Sequence, residues 1–393
     1  MLIKYCSLQK FSTSFSQNLA YIYHPNMNLY LKNIDLIGFK NFAEATLSFS
    51  PRINCFVGNN GAGKTNLLDA IYYLSFCKSY FSVTDHDNIR RNDLLFVING
   101  NYNKNDENEN VFCGVKQDEK KQFKKNKKEY ARLSDHIGLF PLVIVSPYDA
   151  NLISDGSDER RKFINGVISQ YDKTYLNDLI NYNRILKQRN ALLKEFSKNK
   201  SFDKETLDIY DNKLVQLGVP IHQKRKDFLE KLTPVFEVFY RKISGGIETV
   251  ELNYQSQLNI DSFEKLLQQS LERDLFVQYT TCGIHKDDLI FKIDDYPVRS
   301  NGSQGQQKSF LLSLKLAQFD FIKAKNTCTP ILLLDDIFDK LDETRVAHLM
   351  KLVGEQHFGQ IFITDTDKDR ISKVLSPIDS EYSIFTIKKG KIV

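Results

Sequence analysis

Eight residues constrain this chain more than anything else in it. Gly58-Asn59-Asn60-Gly61-Ala62-Gly63-Lys64-Thr65 fits the pattern G-x-x-x-x-G-K-[ST] at every fixed position. Ahead of it, Ile53-Asn54-Cys55-Phe56-Val57 reads as a buried strand. Behind it, Leu67, Leu68, Ile71, Tyr72 and Leu74 predict a helix with one apolar side. Strand, glycine loop and helix in that order make a phosphate cradle, because small residues let backbone N–H groups converge at the positive end of a helix dipole. Residues Gly58 to Thr65, with Asn66 after them, are therefore nucleotide-binding candidates. In such a loop Lys64 reaches the β- and γ-phosphates and the Thr65 hydroxyl ligates Mg²⁺. An α/β fold with ATP and Mg²⁺ as cofactors is the expectation.

A second constraint lies far downstream. Ile331-Leu332-Leu333-Leu334 is an aliphatic strand that ends in Asp335-Asp336. Paired with a P-loop, Asp335 is placed to hold the magnesium water shell. Asp336 is placed to orient or deprotonate an attacking water. Asp336 and Lys64 are the catalytic candidates, and Thr65 and Asp335 the metal ligands.

Between these motifs the pattern changes twice. Residues 92–145 read as short strands and hairpins, with Asn99 to Asn110 as a polar loop. From Arg160 to about Phe196 the spacing is helical, with Leu176, Leu179, Ile180, Leu186, Leu193 and Phe196 on the seam. A second helix spans Glu205 to about Ile243, with interruptions expected near Pro220 and Pro234. The last part returns to α/β, with a helix from Gln306 to about Lys323, another from Glu343, and strands at 331–334 and 361–364. The expected organisation is an extension at 1–27, the first part of an ATPase lobe at 28–155, an inserted helical lobe at 156–275, and the rest of the ATPase lobe at 276–393.

Composition narrows the partners. No run reaches the roughly 18 apolar residues of a membrane helix, so no membrane partner is expected. The six cysteines are scattered without a C-x-x-C pair, which suggests neither zinc nor disulfides and fits a reducing cytoplasm; Cys55 reads as a small core residue. Residues 1–26 contain no acid and no arginine, and the regular pattern starts near Met27, which reads as the true start or as the end of an extension. The net charge of +5 neither demands nor excludes a nucleic acid. Lys116–Lys128 holds seven lysines, Lys124 and Lys125 among them, and reads either as a solvated hairpin or as a DNA-backbone contact. Arg160 and Arg161 read equally as partners of lobe carboxylates or of DNA phosphate. His285, Asp287 and Asp288 have the composition of a metal site, the plainer reading being hydrogen bonds that brace a strand.

Gly302-Ser303-Gln304-Gly305-Gln306 resembles the ABC signature L-S-G-G-Q, with Gly302 for its leucine and Gln304 for its first glycine. Phe338-Asp339-Lys340-Leu341-Asp342 resembles the ABC D-loop, ending in Asp342. Asp365 stands where ABC proteins usually carry a switch histidine. The resemblance implies that Ser303, Gly305 and Gln306 meet the γ-phosphate held by a second subunit, so that ATP joins two copies head to head. The missing histidine implies slow hydrolysis.

Among ABC-type proteins the chain is identified as a member of the RecF family. Leu36-Ile37-Gly38-Phe39-Lys40-Asn41-Phe42 resembles its opening, and Lys78-Ser79-Tyr80-Phe81 its basic segment. Ser146-Pro147-Tyr148-Asp149, Gly156, Arg160-Arg161-Lys162-Phe163-Ile164-Asn165 and Gly283-Ile284-His285-Lys286-Asp287-Asp288 follow in the family's order. Asn165 replaces the usual acid and Lys286 the usual arginine. The resemblance implies an ABC-type ATPase head with an inserted helical lobe, forming an ATP-dependent dimeric clamp on single- and double-stranded DNA at gaps. It further implies help in loading RecA together with RecO and RecR, in repair, recombination, replication and the SOS response. A transporter-type subunit is disfavoured by the long separation of Lys64 from Ser303. An anti-phage nuclease partner would need a second catalytic domain.

Overall fold

The computed structural model describes residues 29–246, 248–338, 346, 358–376 and 381–393. Its strands are β1 (Leu29–Phe39), β2 (Phe42–Ser48), β3 (Ile53–Val57), β4 (Leu95–Lys104), β5 (Glu107–Lys116), β6 (Gln122–Lys125), β7 (Lys128–Glu129), β8 (Leu142–Val145), β9 (Val250–Gln255), β10 (Asp288–Ile293), β11 (Tyr296–Pro297), β12 (Ile331–Leu334), β13 (Ile361–Asp365), β14 (Tyr382–Lys388) and β15 (Lys391–Ile392). The helices of eight or more residues are α1 (Lys64–Phe76), α2 (Ser157–Ile168), α3 (Lys173–Asn199), α4 (Lys204–Ser244), α5 (Phe263–Val277), α6 (Gln304–Lys325) and α7 (Lys368–Leu375). Among the described residues no helix is long and apolar enough to cross a membrane.

The central sheet has the order β15-β14-β3-β13-β12-β8. Its inner pairs are parallel, with Asp365 beside Val57 and Leu334 beside Val145. Every residue of β3, β8, β12 and β13 is buried, as strands covered on both faces must be. This order sets the C-terminal ends of β3, β13 and β12 side by side, where the motif residues lie.

A second, antiparallel sheet runs β2-β1-β4-β5-β6-β7. The stretch 99–110, expected as a loop, is strand, and only Asn105 and Asp106 turn, with φ of 54° and 64°. A two-residue turn with both φ positive matches the twist of paired strands. The asparagines sit on the outer face and bond across it, Asn101 to Asn33 at 2.7 Å and Asn110 to Asn99 at 2.8 Å. Helix α1 contacts strands of both sheets. Leu67 to Ser75 are therefore buried all round, not on the single side expected.

The inserted lobe departs from expectation in three places. The helix expected from 160 to 196 is two, because Asp172 caps α3 by accepting the Tyr175 amide at 2.8 Å. Its buried residues are Tyr175, Tyr182, Ile185, Arg189, Leu193 and Phe196, while Ile180 is exposed. Helix α4 runs unbroken through Pro220 and Pro234. Each proline removes one backbone hydrogen bond, but α3 and α6 both press on α4, and that packing outweighs the loss. Finally, α5 ends at Val277, and β9, within the expected lobe, pairs with β10 outside it. Of the helix expected from Glu343, only Val346 lies among the described residues.

Candidate nucleotide site

The loop between β3 and α1 is closely packed from behind. A Cβ at Gly58 would lie 2.3 Å from the Ile387 carbonyl oxygen, so only glycine fits there. Asn41, on the turn between β1 and β2, donates to Ala62 O at 2.9 Å and accepts from Asn66 Nδ2 at 2.8 Å. Lys64 is buried, and its Nζ donates to Gly58 O at 2.7 Å and Asn59 O at 3.3 Å. These bonds hold a cation over the loop that a phosphate would fill.

Thr65 and Asp335 meet although most of the sequence separates them. Thr65 Oγ1 donates to the two Asp335 carboxylate oxygens at 3.0 and 3.2 Å. Thr364, at the end of β13, donates its hydroxyl to Asp335 Oδ1 at 2.8 Å and accepts the Asp336 amide at 2.8 Å. Burial raises the Asp335 carboxyl to about 6, against the lowering pull of the Thr364 and Thr65 bonds; neighbouring Asp336 raises it further. A hydroxyl beside a buried carboxylate is an oxygen donor set that suits Mg²⁺.

At the position of the expected switch histidine the structure holds a carboxylate in an ion pair. Asp365 is buried and bound by Arg370, whose Nη2 lies 2.6 Å from Oδ1 and Nε 3.0 Å from Oδ2. Its backbone oxygen accepts the Gly58 amide at 3.2 Å, tying this position to the P-loop.

Ser303 caps α6. Its hydroxyl accepts the Gln306 amide at 3.2 Å, and Gln306 Oε1 accepts the Ser303 amide at 2.7 Å. Gln306 also donates to Glu248 at 2.7 Å. Among the described residues no hydrogen bond joins Ser303, Gly305 or Gln306 to residues 58–66 of the same chain. Asp342 lies outside the described residues.

The structure separates the readings left open for the basic residues. Arg160 is buried, its guanidinium bound to Asp288 at 2.7 and 3.0 Å and to the carbonyls of Leu152 and Asp155 at 3.0 Å. Arg161 donates to Asp287 O at 2.6 Å and pairs with Asp158. Both face protein oxygens, so the geometry supports the carboxylate reading over a DNA-phosphate contact. His285 bonds Tyr182 OH at 2.9 Å and Thr280 O at 3.1 Å, and burial lowers its pKa to about 4. Asp287 pairs with buried Arg225 at 2.6 Å. Among the described residues no group of His, Cys, Asp and Glu is arranged to hold a metal. In the lysine run, Lys125 pairs with Glu109 at 2.8 Å and Lys121 with Asp85 at 2.7 Å, whereas Lys127 and Lys128 are exposed at the β6–β7 turn.

Sequence reasoning missed Asn41 and Thr364 as site residues. It also missed Asp69, which binds Lys40 at 2.6 Å, Ser79 at 2.6 Å and the Tyr80 amide at 2.7 Å, fastening the basic segment to α1. The only signal at Asn41 was its place in the opening motif. A threonine closing a strand and an aspartate within a helix carried none.

Residues 30–392 match the family model described as RecF/RecN/SMC N terminal domain. Similar proteins include the DNA replication and repair protein RecF of Phocaeicola vulgatus, 50% identical over 92% of this chain and 97% of its own length. That of Flavobacterium johnsoniae is 49% identical over 91% of this chain and 100% of its own. A solved structure of the recombination mediator protein RecF with ATP in the RecFOR pathway is 31% identical, with a TM-score of 0.85 over 95% of this chain and 99% of that one. The Smc head domain of Pyrococcus furiosus, 18% identical with a TM-score of 0.54, covers 93% of this chain and 96% of its own and shares the fold. The fold is thus that of an ABC-type ATPase head, and the chain belongs to the RecF family of DNA replication and repair proteins.

Proposed function

We propose that this protein is an ATP-switched DNA clamp of the RecF type, working in replication and repair at single-strand gaps. The observation that carries the reading is Thr65 Oγ1 standing 3.0 Å from Asp335, which unites P-loop and acidic strand end in one site. Thr65 and Asp335 would hold Mg²⁺, which when bound supplies positive charge to the phosphate oxygens. Lys64 holds the β- and γ-phosphates, and Asp336 positions the attacking water. Among the described residues Ser303, Gly305 and Gln306 make no hydrogen bond to their own P-loop, which supports a role across a subunit boundary. ATP then joins two copies, the joined pair holds DNA chiefly through phosphates, and slow hydrolysis releases it. RecR and RecO are the expected protein partners.

The deciding experiment sizes the protein with ATP, with ADP and with ATP plus gapped duplex. The expected result is a dimer with ATP and a monomer with ADP, with DNA held by the dimer. Ser303→Arg should bind ATP and stay monomeric; a dimer of that variant would sink the cross-subunit reading.

A further inference from the structure

The turn between β14 and β15 packs against the P-loop. Strand β14 lies beside β3, so the turn that follows it meets the P-loop. Gly390 N donates to Ala62 O at 2.8 Å, the same carbonyl that accepts from Asn41. Behind Gly58 stands the carbonyl of Ile387, at the distance that excludes a side chain. A Cβ at Gly390 would in turn lie 2.2 Å from Asn41 O, and its φ of 73° is one that residues with side chains rarely adopt. The P-loop is therefore gripped at two points, Gly58 and Ala62, by residues 387 and 390.

The turn that does this reads Lys388-Lys389-Gly390-Lys391. All three lysines are exposed, and no carboxylate among the described residues pairs with any of them. Lys40, on the neighbouring turn, is by contrast bound to Asp69 at 2.6 Å. Three cations in four residues repel one another, and the described residues offer them no counter-charge. They flank Gly390, whose amide is bonded to the P-loop at Ala62 O, and exposed charges act over roughly 10 Å at 0.1 M salt.

We propose that this turn is a component of the nucleotide site, with Lys388, Lys389 and Lys391 supplying positive charge to the phosphates of a bound nucleoside di- or triphosphate while Gly390 holds the loop in shape. The inference rests on the reading that the loop binds nucleotide. The lysines attract the anion at long range, and Lys64 engages it directly. Removing the turn's charge therefore weakens binding without abolishing it, and salt screens the difference.

The test titrates the full chain with N-methylanthraniloyl-ADP and its triphosphate analogue at 0.1 M and 1 M salt. K388Q/K389Q/K391Q should melt at the wild-type temperature and bind both probes about tenfold more weakly at 0.1 M salt. At 1 M salt its affinity should match that of the wild type. Gly390→Val should bind neither probe, and a variant that fails to fold leaves the lysine variant to decide. Equal affinity of the lysine variant and the wild type at 0.1 M salt would overturn the proposal. Failure of the wild type itself to bind either probe would instead overturn the nucleotide reading beneath it.

Discussion

Thr364 and Asp335 are bound hydroxyl to carboxylate at 2.8 Å, and the same hydroxyl accepts the amide of Asp336 at 2.8 Å. One side chain at the end of β13 thus orients the metal-ligand candidate and fixes the backbone where Asp336 takes a φ of 46°. The two acids at the end of β12 are aimed by their neighbour strand.

Asp335 makes the site sensitive to pH. Burial lifts its carboxyl from the usual 3.8 to about 6, so the folded chain holds a proton that the unfolded chain has already lost between those values. The contribution of this group to stability is therefore greatest below about pH 4, falls as pH rises toward 6, and is flat above. If Asp335 is the Mg²⁺ ligand proposed above, metal binding below pH 6 should expel a proton and weaken about tenfold per pH unit. Calorimetry in two buffers of different ionisation enthalpy reads that proton. Thr364→Val should lose about 1–3 kcal/mol of folding free energy, since a buried carboxylate and an amide both lose a partner. Unfolding in urea measures it, and a loss under 0.5 kcal/mol would show the hydroxyl to be dispensable.

Lys64 and Asp336 should fail in different ways. Lys64→Ala removes the only side-chain cation bonded to the P-loop carbonyls among the described residues, and nucleotide binding should disappear. Asp336→Asn should bind ATP normally and turn it over ~10²–10⁴-fold more slowly, the usual worth of a water-positioning group. Single-turnover kinetics separates the two effects. Wild-type turnover in Asp336→Asn would remove that residue from the chemistry.

The lysine hairpin can be tested by salt. Lys125 is occupied by Glu109, while Lys124 lies over the Phe112 ring at 5.7 Å and Lys127 and Lys128 are exposed. Replacing Lys124, Lys125, Lys127 and Lys128 with Gln should weaken binding to every duplex sequence alike. The slope of log K against log salt should flatten by about 0.9 for each phosphate that is no longer neutralised. An unchanged slope would leave the hairpin as a solvated turn.

Arg225 should prove structural. It is buried and binds Asp287 at 2.6 Å, Ile284 O at 2.7 Å and Asn165 at 3.0 Å, joining α4 to α2 and to the segment before β10. Arg225→Met would leave Asp287 buried with its cation gone, at a cost of about 3–5 kcal/mol. Differential scanning calorimetry would show it as a large fall in melting temperature; a fall of under 2 °C would mean that Tyr254, whose hydroxyl also donates to Asp287, satisfies the carboxylate alone.

What was readable in the residues, and what was not, follows from range. The P-loop and Asp335-Asp336 are local patterns whose chemistry fixes their spacing, so the nucleotide site was legible in outline. Its supports were not. Asn41, Thr364 and Gly390 act through contacts with residues far away in sequence, and none has an unusual neighbourhood. Polarity misled in two directions. Asn99, Asn101 and Asn110 resembled a loop because the outer face of a sheet is polar. Arg189 was not among the expected seam residues, yet it is buried on α3 between Asp274 at 2.7 Å and Asp211 at 2.5 Å, so the observed seam differs from the apolar one.

The position of β3 between β13 and β14 has a consequence for synthesis. The P-loop leaves the ribosome early, yet the strand before it gains its flanking strands only after residues 361–388 have been made. Thr65 likewise waits for Asp335. A partly translated chain can form the antiparallel sheet of β1 to β7, but it has no finished cradle for nucleotide. ATP therefore meets no complete cradle until the last strands are made, and until then both edges of β3 lack their partner strands.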